Sequence, residues 1–326
     1  MSTQWLRYCR LVVSTDSGSS EAIDLSQFRI QFKISQALVN RPCTAEITIS
    51  NVAESTANRI NLSAFEANPD SNIKVILEAG YQDNFGMIFQ GDLWWKATGR
   101  ESQTETFLKL IATTGDRLLK YLVVNTSLPP GATQEDILKV LKKEFEANGV
   151  DVTTLPDGLL ETKLPRGKVI YCSSGDLLRG LSATNNFYFS LGVNGLIFTQ
   201  KAKTYDEGEP VIVLNAKTGL IGRPTITPNG VELDALLNPQ LDVGSLVQID
   251  NASIVRQDYK TTISEGSYVD NYRASDAMLD SDGIYRIIGR EHFGDTRGDE
   301  WRTHLICVGV NAEVQPVASV SNFGVN

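Results

Sequence analysis

The chain opens on period-two patterning. In FRIQFKI, Phe28, Ile30, Phe32 and Ile34 alternate with Arg29, Gln31 and Lys33, the signature of a strand with one wet face. AEITIS at 45 to 50, IKVILEAGY from Ile73, GMIFQGDLWW and TETFLKLIAT continue it, giving at least five strands by Thr113, with a short helix in AESTANRI that starts near Glu54 or Ser55. This part reads as a mostly antiparallel sheet rolled into a barrel or a sandwich.

The period then changes. After SLPPG, Thr133 caps a helix with Asp136 three residues on; Ile137, Leu138, Leu141 and Phe145 share its buried face and Gly149 ends it. SSGDLLRGLSATNN predicts a second helix, capped by Ser174 and buried along Leu177, Leu178 and Leu181. FYFSLGVNGLIFTQ follows as two strands around an Asn194-Gly195 turn.

Strands return after NAKTGLIGRP. Asn229-Gly230 marks a hairpin, and Val231, Leu233, Ala235 and Leu237 fall on one face. In LLNPQLDVGSLVQID, Asn238-Pro239 and Gly244 interrupt two apolar runs. The residue before proline leaves the helical region, proline lacks an N–H, and glycine accepts angles closed to other residues, so the stretch is a corner between strands. The polar stretch 264–283 is too long for a plain hairpin loop. IYRIIGREHF and WRTHLICVGV then pair across GDTRGDE, and AEVQPVASVSNFGVN has no strong periodicity, reading as a flexible or partner-ordered tail.

The expected fold class is α+β, predominantly β. The expected divisions are a first β domain at 1–115, an α+β middle domain at 116–214, a second β domain at 215–312 and a tail at 313–326. A length of 326 residues agrees with two or three domains.

Composition narrows the function classes. Hydrophobic residues at 41% and charged residues at 21% argue for a folded globular chain. A net charge of −9 without a basic cluster speaks against gripping nucleic acid, because phosphate neutralisation drives such binding. An acidic surface past which nucleic acid slides fits better. MSTQWLRYCRLVVSTD lacks a long apolar stretch before a cleavage site, and no run reaches the ~18 apolar residues of a membrane helix, so a cytosol-like compartment and no membrane insertion are expected. Cys9, Cys43, Cys172 and Cys307 are scattered and read as isolated buried thiols.

Chemistry-bearing motifs are few. His292 and His304, the only histidines, lie on strands expected to pair, but no HExxH or ligand cluster flanks them, and they read as exposed or half-buried strand residues. No GxSxG, P-loop or GxGxxG after a strand occurs. Asp280 and Asp282 lack the spacing of a calcium loop, and Glu101 and Glu105 form a hydrolase pair only if their separation in space permits it. Trp94-Trp95, before Lys96, should place one ring in the core and the other outward, towards a subunit, sugar or base. No catalytic, cofactor or metal residues are assigned, the chain is read as no enzyme, and interface residues are unassigned.

Two passages carry a resemblance. FRIQFKISQALVNRPCTAEITISNVAESTANRI, followed by VILEAGYQDNFGMIFQGDLWW, resembles the first domain of baseplate hub proteins of contractile-tailed bacteriophages. Asn40, Ala45, Ile47, Ile49 and Asn51 follow that family's first run, and Leu77, Ala79, Gly80, Tyr81, Ile88, Phe89 and Gly91 its second. TGLIGRPTITPNGVELDALLNPQLDVGSLVQID, with Asn238, Pro239 and Gly244, is similar to a later passage of the family, and YRIIGREHFGDTRGDEWRTHLICV to its last strand pair.

The resemblance implies two tail-tube-like antiparallel β-barrels around the middle domain. It implies a homotrimer whose barrels form a pseudo-sixfold ring, joining the tail tube protein to a central spike protein in the virion baseplate after assembly in the host cytoplasm. DNA would pass without specific binding, and tape-measure and wedge proteins are further partners. No cofactor is implied. Some related hubs carry a fused spike or lysozyme part; here such parts are expected to come from other proteins. The readings set against it are a baseplate-associated cell-wall hydrolase, needing clustered carboxylates in a cleft, and a carbohydrate-binding β module that would use an exposed tryptophan.

Overall fold

The computed structural model describes residues 6–15, 21–38, 40–60, 73–152, 155–156, 159–160, 162–200, 210–227, 230–249, 255–256 and 283–310. Its elements run β1 (Arg7–Ser14), β2 (Ala22–Asp24), β3 (Arg29–Ala37), β4 (Thr44–Ser50), α1 (Glu54–Arg59), β5 (Lys74–Tyr81), β6 (Asn84–Arg100) and β7 (Thr106–Thr113). Then come α2 (Asp116–Tyr121), β8 (Val123–Leu128), α3 (Gln134–Ala147), β9 (Lys168–Ser173), α4 (Ser174–Asn185), β10 (Phe187–Gly192) and β11 (Gly195–Gln200). The last are β12 (Val211–Leu214), β13 (Leu220–Thr227), β14 (Gly230–Leu236), β15 (Leu246–Ile249), β16 (Val255–Arg256), β17 (Ile284–Asp295) and β18 (Trp301–Gly309). Asp280, Asp282, Asn229, most of the 264–283 stretch and the tail from 311 lie outside the described residues.

The fold is mostly β, α+β, with antiparallel sheets. Strands from both ends of the chain form one 14-stranded sheet in the order β16-β13-β14-β18-β17-β3-β4-β7-β6-β5-β1-β2, with β12 and β15 attached beside β17. Among the described strand pairs, β12 with β15 and β13 with β16 run parallel and the others antiparallel. The path is open among the described residues, so the barrel closure expected from the resemblance is not part of this ladder. What joins the two ends is the antiparallel pairing of β17 with β3, from Gly289 opposite Ala37 to Asp295 opposite Gln31.

Alternation along β3 and β4 sends Ile30, Phe32, Ile34, Ala45, Ile47 and Ile49 into one apolar core, which also takes Leu237 and Trp301 from the far end of the chain. A second core gathers Val231, Leu233, Val247, Tyr285, Ile287 and Leu305. The third lies in the middle of the chain, where Ile137, Leu138, Leu141 and Phe145 of α3 pack with Leu178 and Leu181 of α4 and with Phe187 and Phe189 of β10.

Thr133 and Asp136 form the reciprocal capping box expected for α3, and Asn148 is its C-cap, with Gly149 beyond it at φ +77°. The cap of α4 is Ser173, whose hydroxyl accepts from Asp176 N–H, and not Ser174; Ser174 is the first helical residue and donates from Oγ to Leu118 O at 2.7 Å. Leu177 is half-buried where full burial was expected. The β10–β11 turn consists of Val193 and Asn194, with Gly195 already paired to Gly192.

Trp94 and Trp95 depart from the alternation. The ladder between β6 and β7 slips one residue between Leu93 and Trp95, a β-bulge that breaks the period and leaves both rings out, at 63% and 41% exposure. Lys96 points the other way and donates from Nζ to Ala57 O (3.0 Å) and Ile60 O (2.6 Å), placing a cation at the carbonyl end of α1.

Candidate assembly surface

The corner at 237–245 serves a purpose that its turn chemistry alone does not disclose. It links β14 to β15 and also clamps the far end of the chain onto the β5–β6 hairpin. Asn238 Oδ1 accepts from Gln240 N–H at 3.0 Å, an Asx turn, and from Asn84 Nδ2 at 3.3 Å across the sequence. Asn238 N–H donates to Thr303 Oγ1 (3.3 Å), and Thr303 Oγ1 lies 2.8 Å from His292 Nδ1. Pro239 packs over Gly86, where an added Cβ would sit 3.2 Å from the proline ring. Gly244 takes φ +90° to turn the chain, and its carbonyl accepts from Arg286 at 2.9 Å.

The other signature residues surround the same contact or the neighbouring strands. Gly80 (φ +149°) meets the hairpin backbone so closely that a Cβ would stand 2.3 Å from Asn84 O, and its carbonyl accepts from Trp301 Nε1 at 3.1 Å. Tyr81 ends β5 buried, while Phe89 lies fully in the first core, with its ring against Gly91. Asn51 stands apart: at φ +58° it ends β4, and its side chain accepts from Thr106 N–H at 3.1 Å.

A buried polar junction lies where the three cores meet. Arg290, 4% exposed, reaches Asp242 Oδ1 at 3.0 Å and Leu241 O at 3.2 Å, and also donates to Gln36 Oε1. Gln36 Nε2 donates to Ser190 Oγ (3.2 Å), and Asn194 Nδ2 to the second Asp242 oxygen (2.7 Å). One guanidinium thereby ties β3, the corner and the β10–β11 hairpin. Asn40 adds a second tie to the middle of the chain, donating to Ser182 Oγ and accepting from Phe189 N–H.

On the opposite side of the sheet a polar face crosses both halves of the chain. Its registers place Arg302, Phe293, Lys33 and Glu46 in one row and His304, Glu291 and Ser35 in the next. Its cations have carboxylate partners: Arg29–Asp295 at 2.6 Å, Lys33–Glu291 at 3.5 Å, Lys109–Glu46 at 3.1 Å and Arg302–Asp234 at 3.0 Å. Lys33 and Arg302 flank the ring of Phe293 at 5.5 and 5.0 Å from its centroid. A depression of about 540 Å³ between β17, β3 and β4 makes part of this face concave. The sheet path ends on β16 and β2. Among the described residues, β6 from Trp95 onward pairs only with β7, and Leu220 and Ile221 of β13 pair only with β14.

The histidines do not form a site. They lie one register step apart, His292 opposite Thr303 and His304 opposite Glu291. His292, expected at least half exposed, is fully buried, which with Arg290 nearby pushes its pKa well below the usual value; its Nε2 has no partner among the described residues. His304 bonds Asp234 at 3.0 Å, and that carboxylate raises its pKa. Cys43 and Cys307 are buried as expected and Cys9 and Cys172 only half-buried; burial pushes the Cys9 and Cys43 thiols up to about 12. Glu101 and Glu105 are exposed on the tip between β6 and β7; Glu105 lines an open depression with Arg29, Asn51 and Arg297, and Glu101 does not. Reasoning from sequence missed Arg290 and Asp242; β17 carries several polar residues, and nothing local sets Arg290 apart from Arg286 or Glu291.

Compared with family models, the chain matches Baseplate hub gp41 over residues 9–256, most of its length. The chain belongs to this baseplate hub family. Its role is therefore that of a structural component of the phage tail baseplate. Solved structures share the fold of the hub chain at low sequence identity. The 43 kDa tail protein of prophage MuSo2 from Shewanella oneidensis superposes with a TM-score of 0.56 at 10% identity, covering 95% of this chain and 99% of the other. A tail protein from Neisseria meningitidis MC58 gives 0.53 at 10% identity over 94% and 98%. A chain of the lidless PdpA–VgrG complex gives 0.52 at 8% identity over 97% and 67%. No curated protein sequence compared with the hub chain matches it significantly.

Proposed function

We propose that three copies of this hub chain form a pseudo-sixfold ring that adapts the sixfold tail tube to a threefold central spike and leaves a passage for DNA. In this reading the two tube-like units are 1–115 and 215–312, each completing a barrel in the assembled particle, with 116–214 as a middle unit. The observation that carries it is the sheet running unbroken through the β3–β17 seam, with a concave polar face on one side and, among the described residues, stretches of β6 and β13 paired on one side only. A sheet with free edges is completed by pairing, and head-to-tail pairing of β6 with β13 of the next copy closes a ring. Trp94 and Trp95 on β6 and Ile221 on β13 supply apolar surface at those edges.

The polar face then lines the passage. Its carboxylates neutralise its cations, so DNA finds no uncompensated basic row to hold it. The tail tube and spike proteins are the partners on the two ring faces, with tape-measure and wedge proteins further out. The role is structural and non-enzymatic, in a virion part assembled in the host cytoplasm. Mass by light scattering with imaging of the purified chain tests this: a trimer with a central opening is expected, either free or on addition of tube or spike. A solitary monomer under all these conditions overturns it, as does a ring that survives Trp94→Lys with Trp95→Lys and has its β6 edges facing solvent.

A further inference from the structure

The middle of the chain carries a surface that the ring does not use. β8 and β9 pair with each other and with no other strand among the described residues. One face of this ribbon sends Val124 and Ile170 into the third core. The other leaves Val123, Val169 and Tyr171 at 49%, 76% and 75% exposure, beside Tyr121 at 71% on the end of α2. β-branched and aromatic side chains grouped on an open face mark an interaction site more often than scattered apolar residues do.

The loop that feeds β9 adds charge. Lys163, Arg166 and Lys168 are exposed within KLPRGK, and none has a carboxylate partner among the described residues, in contrast to the cations of the polar sheet face. The loop is held in place: Gly131 N–H donates to Leu164 O at 2.8 Å and Leu164 N–H to Ala132 O at 2.9 Å. The cations therefore stand on a fixed backbone next to the apolar face, in a chain whose net charge is −9.

We propose that the outer face of the β8–β9 ribbon docks an acidic segment of a partner protein, its apolar side chains lying on Val123, Val169 and Tyr171 and its carboxylates pairing with Lys163, Arg166 and Lys168. Charge complementarity selects an acidic partner. The exposed valines select a protein over nucleic acid, because they suit apolar side chains and three cations are few for a phosphate backbone. The inference is independent of the ring reading.

Fluorescence anisotropy on the full chain tests it, with a labelled glutamate–tyrosine random copolymer as probe and polyglutamate and oligothymidylate as comparisons. The copolymer is expected to bind more tightly than either. Tyr171→Ser with Val169→Thr, and separately Lys163→Glu with Arg166→Glu, should each weaken it about tenfold or more. Lys139→Glu with Lys143→Glu on α3, matched in charge change, should leave binding intact, and every variant should keep the wild-type melting curve and oligomeric mass. The proposal is overturned if polyglutamate binds as well as the copolymer, if oligothymidylate binds more tightly, or if the α3 pair weakens binding as much as the loop pair. It also fails if the ribbon variants change the oligomeric mass, which would make this face a contact between copies.

Discussion

The β3–β17 seam has two ends that use the same chemistry in different surroundings. At the inner end Arg290 and Asp242 pair with side chains 4% and 13% exposed, whereas at the outer end Arg29 pairs with Asp295 at 40% and 10%. Water can replace a lost partner at the outer end and cannot at the inner one, so the inner pair should be far more sensitive to single substitutions. The largest effect is expected from Asp242→Ala, which strands a buried guanidinium and should cost about 3–5 kcal/mol in urea unfolding. Arg290→Met combined with Asp242→Asn should cost clearly less than the two single losses added, because the pair is lost as a unit. A cost for Asp242→Ala no larger than that of the outer-end substitution would erase the contrast.

The outer end supplies the second effect. Asp295 accepts from Arg29, from Gln31 Nε2 (3.0 Å) and from Arg297 N–H (3.0 Å), and the Arg29 bond leads in holding its pKa far below the usual carboxylate value. A depressed folded value means stability that is full above the unfolded carboxylate range and lost as pH falls through and below it. Asp295→Asn should therefore cost about 1–2 kcal/mol near neutrality, and the gap to wild type should narrow steadily below about pH 4. A gap that stays constant down to acid unfolding would show that the charge of Asp295 contributes nothing.

This contrast was only half legible in the sequence. Alternation in FRIQFKI and VELDALL showed which residues of β3 and β14 enter the cores, and Thr133 with Asp136 located the start of α3, because those signals are local. The seam was not legible: Gln36 and Arg290 are 254 residues apart, and no local rule brings them together. Trp94 and Trp95 misled because a bulge breaks the period on which the alternation rests. Ser173 and Ser174 are both good caps by type, and only the backbone decides between them. His292 looked like an ordinary strand residue, and its burial follows from its side of β17, which faces inward with Ile34 and Thr303 as register neighbours. Gly80, Phe89 and Gly91 were singled out by resemblance, and the close backbone approaches at Gly80 and Gly91 account for those positions physically.

The two histidines refine the comparison further, since they respond to pH in opposite senses. His304 faces Asp234 on β14, with Glu232 on the same strand, Glu291 on β17 and Arg302 on its own strand, and its folded pKa is raised, Asp234 giving the largest effect. Its contribution is full below the ordinary histidine value and lost as pH rises through the raised folded value. His292 is depressed, so its contribution is present above the ordinary value and lost as pH falls below it. His304→Gln should thus destabilise the protein most near about pH 5.5 and least near about pH 8.5, with a difference of about 0.5–1 kcal/mol. A pH-independent cost would mean that packing, and not the Asp234 bond, is what His304 supplies.

The smallest effect belongs to Lys109 and Glu46, 3.1 Å apart on the polar face with side chains 37% and 41% exposed. Such a pair loses in side-chain freedom much of what it gains in attraction, so Glu46→Gln should shift unfolding by no more than about 0.5 kcal/mol, and less as salt is raised. Its interest lies in the passage. If this face lines the channel, Glu46→Gln with Glu291→Gln removes two negative charges beside Lys33 and Lys109, and the assembled ring should begin to retain DNA at low salt and release it as salt rises. Retention equal to wild type at every salt concentration would place the polar face elsewhere than on the channel wall, and a monomeric preparation cannot give the effect, since the channel exists only when copies close the ring.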